Sequence, residues 1–352
     1  MSREEISGDR AERGVVVIAQ SSPPPRLLLV LPGPPLVRKA VRAGLDLRVV
    51  LDGERRAEDV PLPADRVVHV DAGRGPGIAA VVRGLVRDHG ITHVLDGEGF
   101  PLREPRSAAW ADDDPFGREL VPNWRSAVGE STVATVDEVR KVVGDLGWQA
   151  VIRTDRDEVV VRSDEDTDEW VRAHEPHRGP FVVEKLSSDP EVVVTTLTVD
   201  GMHRVVGITE RVEGTGTRSY VYPASLVESR MVRVRAAVTS MLDLIGHEFG
   251  PAQTRVALVG PEPRVLRSRP CFSVDGVSEL IEVATGFDVP TELFRALAGA
   301  LLQPPRPRWF AGARFSPVPG SPEGGRESSV VVEGVSPEVV RTRLDEAGAS
   351  SS

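Results

Sequence analysis

The sequence contains one cysteine, few aromatic residues and no long apolar run. The shortage of cysteine and the lack of a long apolar run each exclude a class of protein. Its one cysteine, Cys271, excludes an intrachain disulfide framework and a cysteine-rich metal site. Aromatic residues make up 5% of the chain, and no apolar run approaches the roughly twenty residues that a membrane-spanning helix needs. Residues 1–13 are charged and lack the apolar stretch of a secretory signal. We therefore expect a cytoplasmic protein without a membrane segment.

Lysine is scarce as well: Lys39, Lys141 and Lys185 are the only lysines among 43 basic residues. Because this is a bias of the whole chain, an arginine where a related protein has lysine says little about lost function. Acidic residues outnumber basic ones, and the net charge is −10. That charge excludes an overall positively charged surface for binding nucleic acid, so we do not expect nucleic acid among the partners.

Apolar runs of strand length alternate with segments of helical spacing in the first part of the chain. Strands are predicted at 14–19, 27–31, 47–51, 67–70 and 92–95, and helices at 36–43 and 78–88. This alternation is typical of a parallel sheet with helices on its faces. A polar, proline-rich stretch at 98–124 follows, and we interpret its three aspartates at 112–114 as a solvated acidic loop.

The second part of the chain opens with a well-defined helix start. Thr135 is a natural N-cap residue, and Glu138 stands three positions later, which is the spacing of a capping box. Strands are then predicted at 149–153, 158–162, 181–186, 191–199, 204–209, 254–259 and 264–268, with candidates at 309–315 and 330–332. Helices are predicted at 226–244, 278–285 and 290–302. The small, polar end from about 347 is predicted to be disordered.

The order of these elements and several short motifs resemble the ATP-grasp superfamily, specifically its carboxylate–amine ligase branch. The motifs are Val182-Val183-Glu184-Lys185-Leu186, Tyr222-Pro223-Ala224-Ser225-Leu226, Gly250 to Leu258, Ala284-Thr285-Gly286-Phe287-Asp288 and Phe310 to Phe315. The resemblance covers 14–335 and implies an α/β protein with an ATP-grasp fold. It implies an N-terminal parallel α/β (pre-ATP-grasp) domain at 14–110, a lid subdomain at 126–183 and a C-terminal α+β subdomain at 184–335. A partly disordered tail at 336–352 would follow.

The resemblance assigns nucleotide contacts to four residues of the second unit. Arg153 stands where the family has a phosphate-binding lysine. Glu184, Lys185 and Leu186 match the hinge that holds adenine and ribose, although Glu184 can also be interpreted as an exposed charge at a strand end. The loop at 154–158 is short and acidic and has no glycine, so it would repel phosphate rather than bind it.

The positions that bind magnesium in the family carry other residues here. In these ligases a carboxylate and ATP form an acyl phosphate that an amine attacks, and Mg²⁺ neutralises the phosphate charge. Where the family has a carboxylate in its first metal-binding strand, this chain has Arg255. Where the family has metal ligands in the second strand, this chain has Val265 and Arg267. A dication about 4 Å from a guanidinium is repelled by roughly 8 kcal/mol at an effective dielectric of about 20. We therefore expect no metal site and no Mg²⁺.

The arginines on these strands have two interpretations. In one, Arg255, Arg264 and Arg267 are surface residues of a sheet that has lost its ligand. In the other, Arg255, Arg267 and Arg269 join Arg153 in a cationic clamp that holds an anionic ligand without metal.

The expected function is non-catalytic or atypical binding of a nucleotide or anionic small molecule, with ATP as the candidate cofactor. The alternative is an active, ATP-dependent carboxylate–amine ligase with an arginine-based phosphate site. Arg267 and Arg269 are then the expected catalytic residues, and Arg269 binds the substrate carboxylate or acyl phosphate. In the active ligase, the carboxylates of Glu191, Glu210 and Glu213 are alternative candidates for holding the phosphates. A third possibility is an obligate subunit of a catalytic partner protein.

Overall fold

The residues described in a computed structural model of the protein form three β-sheets with helices packed on them. The structure describes residues 25–52, 60–70, 78–97, 130–154, 158–175, 179–186, 189–213, 218–273, 276–317 and 327–349. The predicted strand at 14–19, the aspartates at 112–114 and residues 155–157 of the acidic loop lie outside these residues.

The first sheet is parallel, as the alternation of strands and helices predicted. Its strands have the order β3-β2-β1-β4 and comprise β1 (Arg26–Val30), β2 (Asp46–Asp52), β3 (Val67–Val70) and β4 (His93–Asp96). Helices α1 (Pro34–Arg42) and α2 (Ile78–His89) cover it. Leu27 and Leu29 pack in the core that contains α1, whereas Leu28 and Val30 pack with α2. Strand β1 is a continuous apolar run because both of its faces are buried.

The second sheet is antiparallel, with the order β5-β8-β6-β7. Its elements are β5 (Glu130–Val133), α3 (Val136–Asp145), β6 (Ala150–Arg153), β7 (Glu158–Val161), α4 (Asp164–His174) and β8 (Phe181–Lys185). The predicted capping box at the start of α3 is confirmed. The Thr135 hydroxyl accepts a hydrogen bond from Glu138 N at 3.3 Å, and the Glu138 carboxylate accepts one from Thr135 N at 3.1 Å. The sequence did not predict β5, because four mostly polar residues carry no clear strand pattern.

The third sheet has seven antiparallel strands in the order β13-β12-β9-β10-β11-β14-β15. They are β9 (Glu191–Val199), β10 (Met202–Glu213), β11 (Arg218–Tyr222), β12 (Gly250–Val259), β13 (Glu262–Arg269), β14 (Phe310–Pro317) and β15 (Glu327–Gly334). Helices α5 (Glu228–Leu244), α6 (Val277–Thr285) and α7 (Val289–Leu297) pack on it. Successive residues of β9 point to opposite faces, so Val192 packs with α5 and Val193 with α6 and α7. Among the described helices, none combines the length and the apolar character needed to span a lipid bilayer.

The segment from 336 onward, which the sequence predicted as a partly disordered tail, contains a helix that the sequence did not predict. Residues Pro337–Ala349 form helix α8, which packs on the large sheet. Val340 and Leu344 lie four positions apart and bury their side chains against Val221. Arg341 donates hydrogen bonds to both carboxylate oxygens of Glu210, at 2.8 and 2.9 Å. An apolar stripe of two residues was too short to indicate a helix by itself, and tertiary packing stabilises it.

Two glycine-to-alanine substitutions should change stability in opposite directions. A methyl group added at Gly312 on β14 would overlap Val340 and lie 3.0 Å from Leu344 Cδ1, so it would displace helix α8. We expect Gly312→Ala to lower the free energy of unfolding by about 1–3 kcal/mol. Gly84 in α2 has open space at the same point, so Gly84→Ala should raise that free energy by about 0.5–1 kcal/mol.

Urea unfolding of both glycine variants measures the two effects. A destabilisation of equal size in both variants, or none in Gly312→Ala, would contradict the close packing of α8 on β14.

Candidate functional site

One face of the large sheet carries a row of arginines at its β12–β13 edge. Arg255 on β12 lies directly opposite Arg267 on β13, and Gln253 lies opposite Arg269. Residues that face each other across an antiparallel pair project to the same side of the sheet. Arg264 lies opposite Ala257 and therefore projects to this side as well. We call this side, with Glu191 and Arg211 farther along it, the arginine face.

Glu191 holds two arginines of the arginine face through one oxygen atom. Its Oε2 accepts a hydrogen bond from Arg211 Nη1 at 2.7 Å and two from Arg255, at 2.8 Å from Nη2 and 3.2 Å from Nε. The side chains of Glu191 and Arg211 are only 8% and 5% exposed. Charges this deeply buried persist only when they are paired and hydrogen-bonded. Two guanidiniums and one carboxylate leave this triad with a net positive charge.

The second sheet carries a separate buried ion pair. Arg153 on β6 and Glu184 on β8 lie 2.6 Å apart, from Nη2 to Oε2, and each side chain is 5% exposed. The interpretation of Glu184 as an exposed strand-end charge is therefore wrong. Lys185 beside it is exposed. The N–H of Leu186 donates to the Gln149 carbonyl oxygen at 3.0 Å, so this hinge amide is already hydrogen-bonded within the protein.

A buried glutamine connects the arginine face to helix α6. Gln253 Nε2 donates to the Phe272 carbonyl oxygen at 2.9 Å and to Ser278 Oγ at 3.2 Å. Its Oε1 accepts a hydrogen bond from Thr195 Oγ1 at 3.1 Å. These bonds attach β12 both to the segment that follows Arg269 and to the first turn of α6. Nothing in the sequence pattern indicated this network, since its members are far apart along the chain.

The donor groups of the arginine face do not fit a magnesium ion, which takes oxygen ligands. Guanidiniums project where the resemblance would place carboxylates, and the carboxylate of Glu191 is bound by Arg211 and Arg255. Glu210 projects to the opposite face, where it pairs with Arg341. Within the described ranges, no three histidine, cysteine, aspartate or glutamate side chains lie close enough together to hold a metal ion.

Solved structures match this chain over nearly its whole length, whereas no protein-family model and no curated protein matches it. L-amino acid ligase from Bacillus licheniformis is 18% identical, with a TM-score of 0.61 over 92% of this chain and 96% of that one. N5-carboxyaminoimidazole ribonucleotide synthetase from Thermus thermophilus is 14% identical, with a TM-score of 0.60 over 91% and 96%. The carboxyaminoimidazole ribonucleotide synthase of Aspergillus clavatus, complexed with ATP, is 12% identical, with a TM-score of 0.62 over 92% and 97%. These proteins are ATP-grasp ligases. The chain has an ATP-grasp fold.

The ATP-grasp fold confirms the fold class that the order of elements predicted. At these identities the likeness concerns the fold alone. The division into units at 14–110, 126–183 and 184–335 stays a prediction, and so do the roles of the individual residues.

The predicted site residues fall into two groups in space. Arg153, Glu184, Lys185 and Leu186 lie on or beside the second sheet, and Arg255, Arg267 and Arg269 lie on the large sheet. Within the first group the structure joins Arg153 to Glu184, and within the second it sets Arg255 opposite Arg267.

Arg211 was missed by the sequence analysis, although it shares Glu191 with Arg255. A regular hairpin from the turn at Asp200 and Gly201 would have set Glu210 opposite Glu191. A β-bulge between Val205 and Gly207 shifts the register by one residue, so that Arg211 takes that place. The sequence carries no separate signal for this shift.

Removal of the charge of Glu191 should destabilise the protein strongly. In Glu191→Gln the buried guanidinium of Arg211 and the half-buried one of Arg255 lose the Glu191 carboxylate. We expect the free energy of unfolding to fall by about 3–5 kcal/mol, since breaking a buried ion pair leaves an uncompensated charge. The matched control is Asp345→Asn, which breaks the pair of Arg314 with a largely exposed aspartate and should cost less than about 1 kcal/mol.

Both losses are measured by urea unfolding at neutral pH. If Glu191→Gln loses no more stability than Asp345→Asn, Glu191 is not the buried partner of two arginines.

Proposed function

We propose that this ATP-grasp protein binds a nucleotide or another anionic small molecule through arginines, without Mg²⁺, and does not ligate substrates by itself. The observation that carries the proposal is the cross-strand pair of Arg255 and Arg267 on the arginine face. Like charges directly opposite each other in a sheet destabilise it. Such a pair is stabilised by negative charge close by; Glu191, which pairs with Arg255, supplies one such charge, and we propose a bound anion as a further one.

The surrounding charges support an anionic ligand. Arg255 shares its carboxylate partner with Arg211, so one negative charge serves two positive ones. Arg269 is exposed next to this pair, and Arg267 is half-buried. Guanidinium groups bind carboxylates and phosphates through two parallel hydrogen bonds, which favours these groups as the bound anion.

A nucleotide is the first ligand to consider, because solved structures of the same fold hold one. The synthase from Aspergillus clavatus is complexed with ATP, and purK, another N5-carboxyaminoimidazole ribonucleotide synthetase, is complexed with ADP. In this chain the phosphates would lie against Arg255, Arg267 and Arg269. Arg153 and Glu184, which form an ion pair on the second sheet, would flank the same ligand.

An active ligase is the second candidate, and the fold favours it because the matched structures are ligases. In this version Arg269 binds the substrate carboxylate or the acyl phosphate. The absence of a metal-binding cluster among the described residues and the guanidiniums in its expected place argue for binding over ligation.

Calorimetric titration of ATP, with and without Mg²⁺, tests the proposed function. We expect binding in the absence of Mg²⁺ that Arg267→Glu weakens about tenfold or more, since a hydrogen bond to a charged group contributes about 1.5–3 kcal/mol. Arg233→Glu is the matched control, because Arg233 is exposed on α5, which packs on the opposite face of the sheet. It should leave the affinity unchanged.

Two outcomes would contradict this function. Binding that requires Mg²⁺, or release of ADP when carboxylate and amine substrates are added, would support the ligase instead. Absence of ATP binding under both conditions would remove the nucleotide as the ligand.

A further inference from the structure

A cavity of about 610 Å³ lies at the C-terminal end of helix α6. Its walls are the turn at Thr285, Gly286 and Phe287, the exposed side of α7, and the proline-rich segment 301–308. Small-molecule sites in proteins have volumes of roughly 300–1,000 Å³, so this cavity has the size of a ligand pocket.

The proline-rich wall of the cavity is held in place. Arg308 N donates to the Ala284 carbonyl oxygen at 3.0 Å, and Trp309 Nε1 donates to the Val283 carbonyl oxygen at 3.0 Å. The last carbonyl groups of a helix have no hydrogen-bond partner within the helix. Here the proline-rich segment donates a hydrogen bond to each of two such carbonyl groups. Pro305 further restricts its backbone. A ligand would therefore meet a wall that is already ordered.

Three arginines and one glutamate line this cavity and give its walls a net positive charge. Arg295 on α7 also lines the cavity, but it pairs with Glu292 at 2.8 Å. Arg306 and Arg308 line the same space, and in the part of the chain that the structure describes neither forms an ion pair. Phe287 adds an apolar surface beside them.

We propose that this cavity binds a compact small molecule with two carboxylate or phosphate groups, which Arg306 and Arg308 hold. The two side chains are separated by one residue, so their guanidiniums can each take one end of a dianion. The apolar wall at Phe287 would contact the carbon skeleton of an organic ligand.

This second site is distinct from the arginine face. Ser278 at the start of α6 bonds to Gln253 beneath the arginine face, whereas Thr285 at the other end lines the cavity. A helix of nine residues is about 13 Å long, so the two sites lie at opposite ends of α6. The proposal therefore does not depend on the proposed function.

Calorimetric titrations of the full chain with pyrophosphate and with citrate test the cavity, both without metal. At this cavity the double variant Arg306→Gln, Arg308→Gln should bind the preferred anion about a hundredfold more weakly, with about tenfold lost per guanidinium. Any binding of the same anion at the arginine face should remain. The control Arg233→Gln, Arg235→Gln removes two exposed arginines at the same spacing from α5, and it should bind like the wild type. The anion with the higher affinity shows whether phosphate or carboxylate groups are bound in the cavity.

A second measurement locates the anion on the protein. The preferred anion should protect Arg306 and Arg308 from modification by phenylglyoxal, as read by mass spectrometry, and should leave Arg233 and Arg235 reactive. Equal weakening in the two double variants, absence of protection, or absence of binding by both anions at millimolar concentration would overturn the proposal.

The tests of the two sites can be separated. Arg267→Glu should leave protection of Arg306 and Arg308 unchanged, and the Arg306→Gln, Arg308→Gln variant should leave ATP binding unchanged. Failure of one proposal therefore does not decide the other.

Discussion

The carboxylate of Glu191 is the contact on which the polar side of the large sheet depends. It lies on β9, and one of its oxygens accepts hydrogen bonds from Arg211 on β10 and Arg255 on β12. Three neighbouring strands are thus joined by one buried ionic contact at an end of the sheet. Since buried guanidiniums need a carboxylate partner, Glu191 stabilises Arg211 and Arg255 on this face. The same contact leaves Glu191 bound by guanidiniums rather than offered to a metal ion.

Two β-bulges decide which charges meet on this face. The bulge in β10 brings Arg211, instead of Glu210, opposite Glu191, and it sends Glu210 to the other face, where it binds Arg341 of α8. The bulge between β12 and β13 places Arg264 on the same side as Arg267, although residues three apart in a regular strand project to opposite sides. Without the bulge in β10, Glu210 would take the place of Arg211 opposite Glu191. Without the bulge between β12 and β13, Arg264 and Arg267 would project to opposite sides. The charge of the site is therefore a property of register.

Helix α6 links the two cationic regions of the protein. Its first turn is attached to β12 through the amide of Gln253, and its last carbonyl groups are bound by the proline-rich segment at Arg308 and Trp309. Its middle is apolar and fully buried, with Leu280 and Ile281 in the core that also contains β1 and α1. A rigid, buried helix with a polar contact at each end holds both regions at a constant separation.

Local patterns in the sequence determined much of the fold. The alternation of apolar runs and helical segments predicted the parallel sheet, and Thr135 with Glu138 predicted the start of α3, because these signals arise between residues close in the chain. The resemblance of the motifs and their order to ATP-grasp ligases predicted the ATP-grasp fold. Helix α8, strand β5, the burial of Glu184 and the contact of Arg211 with Glu191 were not predictable in this way. Each of them depends on pairing between distant strands or on packing against them, and a single bulge reverses which side chains face each other. The sequence by itself determined the elements and their order, and the tertiary structure decided which charges those elements bring together.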